Sequence, residues 1–147
     1  MKAGRLKIII GISFMSLMEL TVAAEPTREI TLKVIMQGLR NDVFVIADGM
    51  FTDNMKLVAQ GADGIADHPS IPSGQVRLVA AELGSEMPAF KSLDQQVHDL
   101  SVSIISAAKL GDRERISQDF QQLINGCLAC HAPYKERVAN ILSEPNQ

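Results

Sequence analysis

Apolar residues recur along most of this chain at alternating steps of four and three, which places them on one side of an α-helix. Leu32, Met36, Leu39, Val43, Ile46 and Met50 form the first such stripe and predict a helix from about Thr27 to Gly49, after Pro26. Thr27 stands where a cap belongs, and Glu29 lies in the first turn, where the helix dipole favours an anion. Val58, Ala62 and Ile65 give the inner face of a second helix over about 54–67, with Thr52 and Asp53 as caps. His68-Pro69 stops it, because the residue before a proline avoids the helical region. Phe90, Leu93, Val97, Leu100, Ile104 and Ala107 stripe a further long helix that starts near Pro88 and ends at Gly111. Asp112 then caps a last helix reaching about Leu142, with Ile116, Phe120, Leu123, Cys127, Cys130, Tyr134, Val138 and Ile141 along its seam.

Between the second and third long helices, Pro69 to Ser73 forms a loop, and Ser73 to Leu83 forms a short extra helix ending at Gly84. No segment alternates as a strand does. The fold class is therefore all-α. Short connections make the first and second long helices, and the third and fourth, antiparallel neighbours, so the expected architecture is an up-down-up-down four-helix bundle.

Length and charge narrow the function. The chain has 147 residues and a formal net charge of −3, enough for one domain and without the basic footprint that nucleic acids require. Its start predicts a leader: Lys2, Arg5 and Lys7 precede an apolar run from Ile8 to Met18, and Val22-Ala23-Ala24 supplies small residues for cleavage. That run is shorter than the ~18–20 residues that span a bilayer. A signal peptide over 1–24 and a single domain over 25–147 follow, exported to the periplasm, more acidic once the leader is gone, and without stable membrane insertion.

Two cysteines are present, Cys127 and Cys130. Three positions apart, they close too short a loop to staple a fold. With the next residue they form Cys127-Leu128-Ala129-Cys130-His131, the attachment pattern of c-type haem. Residues three and four apart share a helix face, so both sulfurs and the imidazole can address one flat macrocycle, the thiols as thioethers and His131 as an axial iron ligand. Two other chemistries use Cys-x-x-Cys. A thiol oxidoreductase places the pair at a helix start after a strand, where the dipole lowers a thiol pKa, and here it lies deep in a helix. A structural zinc site needs four ligands, and no second cysteine pair exists.

No methionine follows His131, so a sixth iron ligand must come from upstream. A helical chain with Cys-x-x-Cys-His-x-x-Tyr-Lys near the end of its last helix resembles the class II cytochromes c, the cytochrome c′ family. The motif match spans Cys127 to Lys135 and the surroundings of Met36, while the architectural likeness covers the mature chain. The resemblance implies one covalently attached haem c per chain, electron transport with redox partner proteins, no enzymatic turnover, and homodimers formed through the first two helices, with Phe44 and Phe51 as interface candidates. Family members with a bulky apolar residue at the first-helix position bind gases at an open iron; those with methionine are low-spin, six-coordinate electron carriers.

Helix rise gives an independent route to the sixth ligand. His131 lies 11 residues from the expected end of its helix, about 16 Å at 1.5 Å per residue. Met36 lies 9 residues into the first helix, about 14 Å by the same rise. In an antiparallel pair the two are level. Met50 and Met55 fall at the other end. Met87 sits in a loop at the correct end, from which it would have to reach inward. His98 has a suitable depth but flanks its stripe, and His68 beside Pro69 reads as a solvent-facing cap. Lys33, Arg40 and Lys135 lie about one turn from the two ligands and are candidates for the haem propionates, and Tyr134 is a candidate for packing on the macrocycle. Family members commonly carry arginine where Lys135 stands, which keeps the charge but adds a planar fork. Pro133 removes a backbone donor and is expected to bend or loosen the last helix.

Three functions therefore stand open at the level of sequence. The first is a His131/Met36-ligated electron carrier, whose acidic surface suits a basic redox partner. The second is a five-coordinate haem protein binding nitric oxide or carbon monoxide, and the third a haem-free thiol oxidoreductase.

Overall fold

A computed structural model describes residues 30–143. The expected leader over 1–24, its cleavage point, Thr27 and Glu29 lie outside them. Every regular element within the described residues is helical: α1 (Leu32–Phe51), α2 (Met55–Ala66), α3 (Ser73–Leu83), α4 (Met87–Leu110) and α5 (Arg113–Ser143). A 3₁₀ turn over Gly84–Glu86 joins α3 to α4. No helix among the described residues is long and apolar enough to cross a membrane.

Local chemistry sets most boundaries. α1 starts at Leu32 rather than at Thr27, because Thr31 is the residue whose side chain accepts from the Val34 amide, at 3.2 Å. A long-range partner completes that end: Gln75 Oε1 accepts the Leu32 amide at 2.7 Å. α2 is capped by Asn54, which accepts from the Leu57 amide, and not by Thr52 or Asp53. Asp53 has φ +56° and a different task, a two-pronged ion pair with Arg113 at 2.6 and 2.7 Å that ties the α1–α2 turn to the start of α5. Asp112 caps α5 as expected, accepting from the Arg115 amide. Gly111 ends α4 at φ +69°, a left-handed conformation that costs glycine nothing. α5 runs through Pro133 as one helix.

The helices α1, α2, α4 and α5 pack against each other: α1 on α2, α2 on α4 and α4 on α5. α1 and α5 share both apolar clusters but have few close backbone approaches, and α3 lies on α5. The core is in two pieces. One centres on Ile46, Val58, Ala62, Ile65, Ile104, Ile116 and Leu123, with Leu39, Val43, Val97, Ile124 and Cys127 at its border. The other holds Leu32, Val79, Leu83, Tyr134 and Val138, with Phe90, Leu93 and Cys130 at its border. α3 supplies Val79 and Leu83 to this second cluster, and Arg137 on α5 holds it there by bonds to Glu82 at 3.1 Å and Glu86 at 2.9 Å.

Glycine decides how closely α1 and α2 meet. A Cβ on Gly61 would stand 2.7 Å from the Asp42 carbonyl oxygen and 2.8 Å from Ile46, and one on Gly49 would stand 2.6 Å from the Val58 amide. The α1–α2 contact therefore depends on bare backbone at both helices. Gly61→Ala is expected to destabilise the fold by about 1–3 kcal/mol through overpacking, read as a lower urea midpoint. Gly38→Ala, with nothing within 4 Å, is expected to be neutral or stabilising by up to ~1 kcal/mol, the helix-propensity gain.

Candidate functional site

The motif sits where the core divides. On α5 the first cluster ends with Cys127 and the second begins with Cys130; on α4 the same break falls between Val97 and Leu93; on α1 it falls between Leu39 and Leu32. Met36 lies inside that last interval, and Cys-Leu-Ala-Cys lies across the first.

Helix phase orients these residues. At about 100° per residue, Cys127 and His131 share one flank of α5, and Gly126 lies on another. Gly126 is the contact with α4, since a Cβ there would come within 3.1 Å of Val97. Cys127 and His131 thus stand about 100° and 140° round α5 from its α4 contact, whereas Cys130 stands about 40° from it, on the α4 side. On α1 the α2-facing positions are Asp42, Ile46 and Gly49, and Met36 is turned roughly a third of a revolution from them. Leu32, on nearly the same side as Met36, belongs to the cluster of Tyr134 and Val138 on α5.

Burial differs from the periodic expectation in an instructive way. Both cysteines are half-buried, not fully enclosed, and His131 is exposed. Met36 is not on the buried stripe: it is 38% exposed, while Ile35 and Gly49, which the stripe omitted, are buried with Leu32 and Ile46. A strict 4-3 stripe follows 3.5 residues per turn, whereas the close α1–α2 contact draws the inner face of α1 toward Gly49 and leaves Met36 at its edge. Met36 also lies in the second turn of α1, since the helix starts at Leu32.

The remaining candidates separate. Lys33, Arg40 and Lys135 are exposed, and Lys135 is near enough for its charge to act on His131, whose pKa is lowered first by the partial desolvation of its ring and second by Lys135. Tyr134 is buried, its ring edge-on to Phe90 with centroids 5.5 Å apart and planes at 78°. His98 does not join the motif: its Nδ1 donates to the carbonyl of Ala66, the last residue of α2, at 3.2 Å. His68 is half-buried rather than solvent-facing, with Nδ1 bonded to the Pro69 carbonyl at 2.9 Å. Sequence reasoning missed Gly126, Gln75 and Arg137. A glycine inside a strongly periodic helix is a signal of close approach; the other two act across the fold and leave no local mark.

The thiols are held in their neutral form. Burial pushes the Cys127 thiol up. Burial, then Asp94 and Cys127, push Cys130 up to about 11. A redox Cys-x-x-Cys needs the opposite shift, since the thiolate is the nucleophile. Among the described residues no three His, Cys, Asp or Glu side chains converge as for a bare metal ion. No family model matches the chain, and neither a curated protein nor a solved structure does.

If the thiols are free, alkylation of the folded protein by iodoacetamide at pH 8 is expected to be at least about tenfold slower than in urea, because the thiolate is scarce. The rate should climb as pH rises toward 11. Equal rates in both states at pH 8 would show that the cysteines are not held as described.

Proposed function

We propose that the chain is an exported monohaem c-type cytochrome of the class II kind, a carrier of single electrons that transforms no substrate. One observation carries this proposal: the haem-attachment run falls where the two core clusters divide, on helices α1 and α5 that share both clusters with few close backbone approaches. A flat apolar group with thioether links to Cys127 and Cys130 suits that interval, because half-buried thiols lie at both of its borders. The raised thiol pKa values support the same choice over thiol–disulfide exchange.

The clusters also give a register. Leu32 groups with Tyr134 and Val138, while Leu39 and Val43 group with Leu123 and Cys127. Moving forward along α1 is moving backward along α5, which supports an antiparallel pair and an up-down-up-down order. Met36, one turn beyond Leu32, then falls level with His131. This register replaces counting from helix ends, which the later start of α1 upsets.

His131 and Met36 would hold the iron from α5 and α1. A haem bound there supplies the ferric/ferrous couple, and methionine opposite histidine raises its potential relative to two histidines. The rest is done by the chain. α2 holds α1 through bare-backbone contacts and Val97 of α4 packs on Gly126 of α5, so the two ligands would move little when the charge changes. Tyr134 and Phe90 close the apolar end, and Lys33, Arg40 and Lys135 offer cations to the propionates. Export to the periplasm and removal of residues 1–24 belong to this proposal, on the strength of the leader pattern.

One feature favours a second possibility, a five-coordinate haem that captures nitric oxide or carbon monoxide: Met36 stands at the edge of its helix face, 38% exposed. Protein matured in a periplasm is expected to be coloured, with one haem mass added and no titratable thiol. Its ferric spectrum should be low-spin with the methionine–iron charge-transfer band, and Met36→Ala should turn it high-spin. A high-spin wild-type spectrum that shifts at once under carbon monoxide would select the gas-binding alternative. Colourless protein with two free thiols would end both.

A further inference from the structure

The flank of α1 and α5 beside the motif carries a charge opposite to that of the whole chain. On α1, Lys33, Arg40, Phe44 and Phe51 follow one another at steps of seven, four and seven, and so share one sector of the helix. On α5, Leu128 and Lys135 are seven apart and share another, adjoining His131. All six are exposed, with Phe44 at 64%, Phe51 at 90% and Leu128 at 59%. Neither line of residues itself holds a carboxylate; Asp48 borders the first, one turn from Phe44 and from Phe51, and Glu136 borders the second beside Lys135. Asp94, which acts on Cys130, belongs to α4. Lys33, Arg40 and Lys135 take part in no ion pair among the described residues, whereas Arg113, Arg115 and Arg137 are each matched to a carboxylate.

We infer that this flank docks a partner protein presenting carboxylates around an apolar centre. The idea rests on the haem proposal for its purpose, electron exchange beside the motif, but the surface itself does not depend on colour. Charge complementarity selects the occupant. The chain as a whole is −3, so general electrostatics favour a basic partner, as composition alone suggested; the unmatched cations beside the motif reverse that sign locally, and local charge steers docking. A second copy offering the same face would meet like charge. Three cations are also fewer than the ~4–8 that recognition of anionic lipid commonly uses.

The test uses the purified mature protein at low ionic strength on gold bearing a mixed carboxylate- and methyl-terminated monolayer, with retained mass read by surface plasmon resonance and electron exchange by voltammetry. The net-negative protein is expected to be retained on this negative surface and to be released as salt rises. Charge reversal of the three cations together (K33E, R40E, K135E) should lower retention about tenfold or more, Phe44→Ser several-fold, and Lys109→Glu, on α4 at the other end, hardly at all. Retention unchanged by the triple reversal, or lowered as much by Lys109→Glu, would overturn the docking face. So would tighter binding to phosphatidylglycerol vesicles through the same residues, or a dimer in sedimentation that Phe44→Ser dissolves. Retention without any voltammetric wave would sustain the docking face and count against haem, and a wave indifferent to the three cations would do the reverse.

Discussion

The bare-backbone contact between α1 and α2 is the constraint from which the rest of the arrangement follows. Gly49 and Gly61 allow the two helices to meet without intervening side chains, with Ile46 and Val58 fully enclosed beside them. α2 in turn packs on α4, and α4 on α5. Each helix is thus drawn toward the next, and α1 and α5 share the two apolar clusters with few close backbone approaches of their own, because α1 is committed to α2. Had larger residues stood at those glycines, α1 would sit farther out and turn differently, and Met36 would change its place.

Much of this was legible in the sequence because it is local. Pro69, Gly84, Gly111 and Asp112 mark boundaries through their own backbone chemistry, and the structure keeps all four. The 3-4 stripes of α2 and α4 face inward as written. α1 departs from its sequence pattern in two ways. Thr27 and Thr31 are both caps by residue type; Thr31 accepts from the Val34 amide, and Gln75, 43 positions beyond Leu32, accepts from the Leu32 amide, a partner no local pattern reveals. Its inner face includes a packed glycine, Gly49, which a stripe of apolar side chains does not register. The motif could be located on its helix from spacing alone, but its position at the division of the core could not, since that depends on four helices at once.

The same geometry explains why the cysteines are poor candidates for disulfide exchange. They lie in the body of α5, far from the first turn where amide groups stabilise a thiolate, and half-buried against apolar neighbours. What remains attractive there is bonding that keeps the sulfur uncharged. A thioether meets that condition; a thiolate does not.

The tie between α3 and α5 bears on the order in which the molecule comes together. Val79 and Leu83 find their cover in Tyr134 and Val138, and Leu32 waits for the same residues about a hundred positions later. Contacts so distant along the chain form late, after the loop entropy of everything between has been overcome. Neighbouring helices need no such closure, whereas the Arg137 bonds to Glu82 and Glu86 join residues 55 and 51 positions apart. The α3 end of the molecule is accordingly the part whose assembly draws most on the chain as a whole.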